Sequence, residues 1–106
     1  MHITVVANPA AGGGRGQRVI ARLRPLLLAH GVSDIRETRA PGDEATLTAA
    51  ALAEGASSII AVGGDGTWSR CAAVLGAARS HATLALLAAG RGNDFAKTLR
   101  LPVHDH

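Results

Sequence analysis

The sequence predicts an α/β protein: a three-layer open sheet of mainly parallel strands with helices on both faces. Three observations carry that prediction. Short apolar runs rich in β-branched residues alternate with longer Ala- and Leu-rich stretches along the chain. Each short run is followed by a turn that contains glycine or proline. Hydrophobic residues make up 47% of the chain but aromatic residues only 2%, so the core must be built from Ala, Leu, Ile and Val, which suits helices packed on a sheet. Strands that alternate with helices run parallel and are joined by right-handed crossovers.

The elements follow in order. Ile3 to Val6 is an apolar run closed by Asn8-Pro9 and is predicted to be a buried strand. Over 17–30, apolar Val19, Ile20, Leu23, Leu26 and Leu27 fall at helical spacing, and Gly31 is a natural stop. Pro25 falls inside that pattern, where a proline kinks a helix. Residues 34–38 form a short second strand, and 41–54 a helix started at Gly42-Asp43 and ended by Gly55. Ser58 to Val62 is the third strand, closed by Gly63-Gly64, and 67–78 the next helix. Thr83 to Leu87 is the fourth strand. A last helix is expected over 93–99, ended by Pro102.

The 106 residues suit one domain, residues 1–106. The net charge of +3 is carried by arginine except at Lys97, and the arginines are scattered rather than clustered, which argues against a nucleic-acid partner. Cys71 is the single cysteine, so neither a disulfide framework nor a cysteine metal site can be built, as expected of a reducing, cytoplasmic setting. The start MHITVVANPA has no basic leader, and ATLALLAA is too short to span a bilayer. His104, Asp105 and His106 read as a solvated tail.

Three glycine-rich loops each follow a predicted strand: 8–16, 63–67 and 89–94. Parallel strands bring all three to one edge of the sheet, where open α/β sheets bind ligands. Glycines let backbone N–H groups turn toward a ligand, and a run of them at a helix start makes an anion site. A phosphate-bearing ligand is therefore expected. Standard motifs do not account for the loops. The dinucleotide pattern begun at Gly12 and Gly14 fails at Gln17, the Walker pattern fails because Ala96 precedes Lys97, and no nucleophile elbow exists. Asp65, between glycines at a strand end, suits metal binding, phosphate ordering or proton acceptance; the plainer alternative is a helix N-cap. Thr67 suits a cap or a phosphate contact, and Asn93 and Asp94 suit a helix start.

These stretches resemble the catalytic domain of the diacylglycerol kinase superfamily, which includes bacterial lipid kinases and sphingosine kinases, with NAD kinases more distant. NPAAGG resembles the family's opening stretch, with its first glycine one place later at Gly12; Thr38 before APGDEA resembles the Thr that precedes a Pro-Gly-Asp-Ala helix start; GGDGT and GRGNDFAKTLRLP complete the set. The resemblance covers essentially the whole chain. It implies ATP and Mg²⁺ as cofactors and transfer of the γ-phosphoryl group to a lipid hydroxyl such as that of diacylglycerol. It implies nucleotide contacts at Asn8, Pro9, Gly12, Thr38, Gly63, Gly64, Asp65, Gly66, Thr67, Gly92, Asn93 and Asp94, with Asp65 the key carboxylate.

The chain departs from the family pattern at Ser69 and Arg70, where Asn-Glu is usual, and at Arg91, where Thr is usual. Family members continue into a second, β-rich domain that covers the lipid, and 106 residues leave no room for it. The expectation is therefore a lobe that lacks full activity alone, self-associates through an exposed interdomain face, and works in the cytoplasm, peripherally at the inner membrane surface. Two alternatives stay open: an NAD-kinase-like enzyme, and a nucleotide-binding module without chemistry.

Overall fold

A computed structural model of the chain describes residues 2–88 and 98–102, with 88 and 98–102 described through their backbone alone. Five strands form one sheet: β1 (Ile3–Ala7), β2 (Asp34–Glu37), β3 (Ser58–Gly63), β4 (Thr83–Ala88) and β5 (Thr98–Pro102). Three helices join the first four: α1 (Ala11–Ala29), α2 (Asp43–Ala53) and α3 (Asp65–Ala77). The strand order is β2-β1-β3-β4-β5. Val5 pairs with Ile35 on one side and Ile60 on the other, and Ile60 pairs with Ala85, all parallel. The expected three-layer architecture is present.

Side chains alternate faces along each strand, and the two faces are filled from different helices. Val5, Ala7 and Val62 lie with Ile20 of α1, while Val6, Ile59, Ala61 and Leu84 lie with Ala51 of α2 and with Cys71 and Leu75 of α3. A right-handed crossover that moves toward β2 must run on one face, and one that moves toward β3 or β4 on the other. That geometry puts α1 alone on its face and pairs α2 with α3. Because the chain leaves β1 in both directions, the carboxyl ends of β1 and β3 flank a crevice at the switch point.

Buried threonines fit this scheme without orphaned hydroxyls. Thr4 donates to Asp34 Oδ2 at 2.7 Å, Thr48 to Cys71 Sγ at 3.3 Å, and Thr38 to Asn8 Oδ1 at 3.4 Å. At the amino edge, opposite the crevice, Asp34 also takes two bonds from Arg36, at 2.8 and 3.0 Å, and lies 2.8 Å from His2 Nε2.

Two expectations are corrected. The helix expected over 93–99 is not found at its end: Thr98 and Leu99 belong to β5, antiparallel to β4, while 93–97 lies outside the described residues. The physical reason is the alternation Thr98-Leu99-Arg100-Leu101, a strand period, with Pro102 at the end of an edge strand where its missing N–H costs least. Pro25 does not break α1; the non-helical dihedrals of that element are confined to Gly12, Gly13 and Gly14.

Candidate functional site

The first loop is built on Asn8. Its backbone N–H continues the β1–β3 ladder, donating to the Val62 carbonyl at 2.8 Å. Its side-chain Oδ1 accepts from the Ala10 N–H at 3.0 Å and from Thr38. The carbonyl end of the side chain is thus used to pin two loops together. Gly12, Gly13 and Gly14 then carry φ of 63°, 69° and 101°, a left-handed run that only glycine follows without strain. It swings the chain into the regular part of α1. Gly16 packs so closely on the first loop that a Cβ there would collide with the Asn8 carbonyl oxygen.

The β3–α3 loop is equally tight. A Cβ on Gly63 would stand 2.8 Å from Thr67 Cβ, so the strand end accepts only glycine while Thr67 stays buried. Gly64 is the N-cap of α3 and no side chain caps it. Asp65 is exposed in the first turn, and neither it nor Thr67 makes a cap hydrogen bond. The Thr67 hydroxyl instead donates to Glu44 Oε2 at 3.3 Å.

Glu44 follows the β2–α2 loop, in the first turn of α2. Thr38 N–H donates to the Ala7 carbonyl at 2.8 Å, extending β2 beside β1. Asp43 Oδ2 accepts the backbone N–H groups of Arg39 at 2.8 Å and Ala40 at 3.1 Å, which fixes the loop. Asp43 and Glu44 then occupy the first turn of α2, where negative charge meets the positive helix end. Glu44 is only 1% exposed, yet its Oε1 has no hydrogen-bond partner among the described residues. Its second oxygen, Oε2, receives Thr67 and lies 3.6 Å from Arg70 Nη1. Deeper along the same α2/α3 seam, burial pushes the Cys71 thiol up, against the Thr48 hydroxyl bond, which favours the thiolate; the Glu44 charge adds to the rise. Cys71 is therefore a packing residue and not a nucleophile.

A cavity of about 400 Å³ opens between these loops, lined by Asn8, Pro9, Thr38, Arg39, Glu44 and Arg70 together with Ala10, Ala40 and Pro41. Of the residues singled out from sequence, Asn8, Pro9 and Thr38 line it. Gly63 to Thr67 stand beside it, tied in through Thr67 and Glu44, and Gly12 sits exposed in the first loop. Gly92, Asn93 and Asp94 lie outside the described residues. Sequence reasoning missed Arg39 and Glu44 as site residues and took Arg70 only as a departure. The available signal was charge: an acid in the first turn of one helix and a base one turn into the next. Among the described residues, no three His, Cys, Asp or Glu side chains group as metal ligands.

The fold and this edge define an open, mainly parallel α/β domain with glycine-built loops at its switch point. The diacylglycerol kinase catalytic domain matches residues 2–106, and the chain belongs to that family. Among its relatives is "Probable lipid kinase YegS-like" of Pseudomonas putida, 49% identical over 72 residues, 68% of this chain and 24% of the relative. The protein of the same name from Xanthomonas euvesicatoria is 40% identical over 74 residues, 66% of this chain and 24% of the relative. A solved diacylglycerol kinase from Bacillus anthracis superposes with a TM-score of 0.68 at 30% identity, over 90% of this chain and 35% of that one. The chain thus spans about a quarter of the length of the curated relatives and about a third of that structure.

Proposed function

We propose that the chain is the nucleotide-binding lobe of an ATP-dependent lipid kinase that transfers the γ-phosphoryl group to a lipid hydroxyl such as that of diacylglycerol. The observation that carries this reading is the cavity beyond the carboxyl ends of β1 and β2, lined by Asn8, Thr38, Glu44 and Arg70 and tied to the glycine loop that opens α3 through the Thr67–Glu44 bond. Phosphoryl transfer is mostly positioning and charge neutralisation, which such a site supplies through backbone N–H groups, helix N-termini and arginine.

In this reading Asn8 and the Gly12 loop meet the phosphates and Thr38 helps to shape the pocket wall. Gly63 to Thr67 hold phosphate, and Gly92, Asn93 and Asp94 complete the cleft. Asp65 fits a magnesium ion: it is exposed, carries no cap bond, and Mg²⁺ takes one or two carboxylates alongside substrate phosphates. Bound there, Mg²⁺ would neutralise charge on the β- and γ-phosphate oxygens. No helix among the described residues is long and apolar enough to cross a membrane, which suits a peripheral encounter with the lipid in the cytoplasm. A second domain would supply the lipid site and a water-poor cleft.

A nucleotide-binding module without transfer is the second reading, favoured by Arg70 in place of the family's usual Glu. Calorimetry with ATP and Mg²⁺ tests the first. The chain alone should bind weakly, Asp65→Ala should abolish binding, and lipid phosphorylation by the isolated lobe should be negligible. No binding at millimolar ATP would overturn the nucleotide reading.

A further inference from the structure

Glu44 is the one buried group of the cavity whose bonding is incomplete among the described residues. An ionised carboxylate has acceptor sites on both oxygens and is costly to bury unless they are filled. Oε2 has the Thr67 hydroxyl at 3.3 Å and Arg70 Nη1 at an offset 3.6 Å, while Oε1 has nothing. Arg70 is about half exposed, so it screens the carboxylate from one side without enclosing it. A carboxylate placed only for stability would gain more from closer bonds to its neighbours or from replacement by an apolar residue.

The surroundings say what the missing partner is. An acceptor-only group beside Arg39, Arg70 and two helix N-termini repels phosphate oxygens while its neighbours attract them. Its natural partner is a hydroxyl or amino hydrogen. A nucleotide presents both chemistries: anionic oxygens at one end, and donors on the ribose and base at the other. The buried position of Glu44, against the wall formed by Asn8, Pro9 and Thr38, separates it from the exposed Asp65 in the next loop.

We infer that Glu44 is a specificity-determining residue: Oε1 accepts a hydrogen bond from a donor on the nucleoside part of the bound nucleotide, and Arg70 holds the carboxylate in place. The inference rests on the nucleotide reading above and adds to it which end of the nucleotide enters this pocket. It also gives Arg70 a role: the base that departs from the family pattern partners an acid in the facing helix.

Trp68, the only tryptophan, lies in α3 two residues before Arg70 and reports binding through its fluorescence. The chain and Glu44→Gln are titrated with the magnesium complexes of ATP, 2′-deoxy-ATP, 3′-deoxy-ATP, ITP and inorganic tripolyphosphate. The native chain should prefer ATP about tenfold over whichever analogue lacks the donor, the worth of one charge-assisted hydrogen bond. A deoxy analogue singles out the ribose, ITP the exocyclic amine. Glu44→Gln should flatten that ratio and leave tripolyphosphate binding as tight or tighter. A purely structural role would lower the melting temperature and move all ligands together, so an unchanged ratio in Glu44→Gln overturns the inference while the nucleotide site stands. Equal binding of ATP and every analogue by the native chain also overturns it. Absence of binding by ATP and tripolyphosphate alike overturns the nucleotide reading and this inference together.

Discussion

At the scale of single residues, polar groups divide into those that are satisfied and those that are not; among the described residues, the buried Glu44 Oε1 and Trp68 Nε1 lack partners. Half-buried Asp34 is a satisfied case. The Arg36 guanidinium bonds hold its carboxyl well below the usual carboxylate range; burial acts in the opposite direction, and the Thr4 and His2 contacts assist Arg36. A carboxyl depressed in the folded state contributes stability that is present above its unfolded value, about 3.9, and is lost as pH falls through the folded value. Asp34→Asn should therefore cost about 1–3 kcal/mol at pH 7. In denaturant melts from pH 7 to pH 2, the gap between variant and native chain should narrow below pH 4. A gap that stays constant would show that the charge of Asp34 contributes nothing.

Glu44 is the unsatisfied carboxylate, and it marks the limit of what residue types reveal. Asp65 stood out in the sequence because glycines flank it. Glu44 sits among ordinary helix-start residues, and only the packing of α2 against α3 shows that it is buried and faces Arg70. Gly63 was legible as a loop residue, but its reason, the side chain of Thr67 against the strand end, required the fold.

At the scale of elements, the first four strands and the three helices between them were legible within two residues, because periodicity and glycine stops are local signals, save that α1 begins at Ala11, six residues before the expected start. The larger exception is β5. Its alternation spans five residues, while the Asn-Asp pair before it, which lies outside the described residues, carries the residue types of a helix start. Pro25 is the second lesson. It lies past the middle of α1, on the exposed side, with no break in the helical dihedrals. A proline there still removes a backbone N–H and crowds the preceding turn. Pro25→Ala should raise stability by about 1–3 kcal/mol, read from the denaturant midpoint at unchanged slope. A loss of stability would mean that the helix is locally adapted to the ring.

At the scale of the molecule, topology does what no loop does alone. The order β2-β1-β3-β4 sends α1 to one face and α2 and α3 to the other, and so brings the loops after β1, β2 and β3 to one crevice. That convergence was legible from the alternation of strand and helix, since parallel strands share a carboxyl edge. The pocket wall was not, because Arg39, Glu44 and Arg70 meet only through the register of the sheet and the pairing of the helices. Belonging to the diacylglycerol kinase catalytic domain family agrees with this organisation, and the match spans 24% of the length of the Pseudomonas relative.

The most direct test of that reading is to map amide chemical shifts of the isotopically labelled chain during titration with ATP and Mg²⁺. Shifts that cluster at 8–16, 38–44 and 63–70 are the predicted result. Shifts confined to the opposite edge, around His2 and Asp34, or none at millimolar nucleotide, would contradict it.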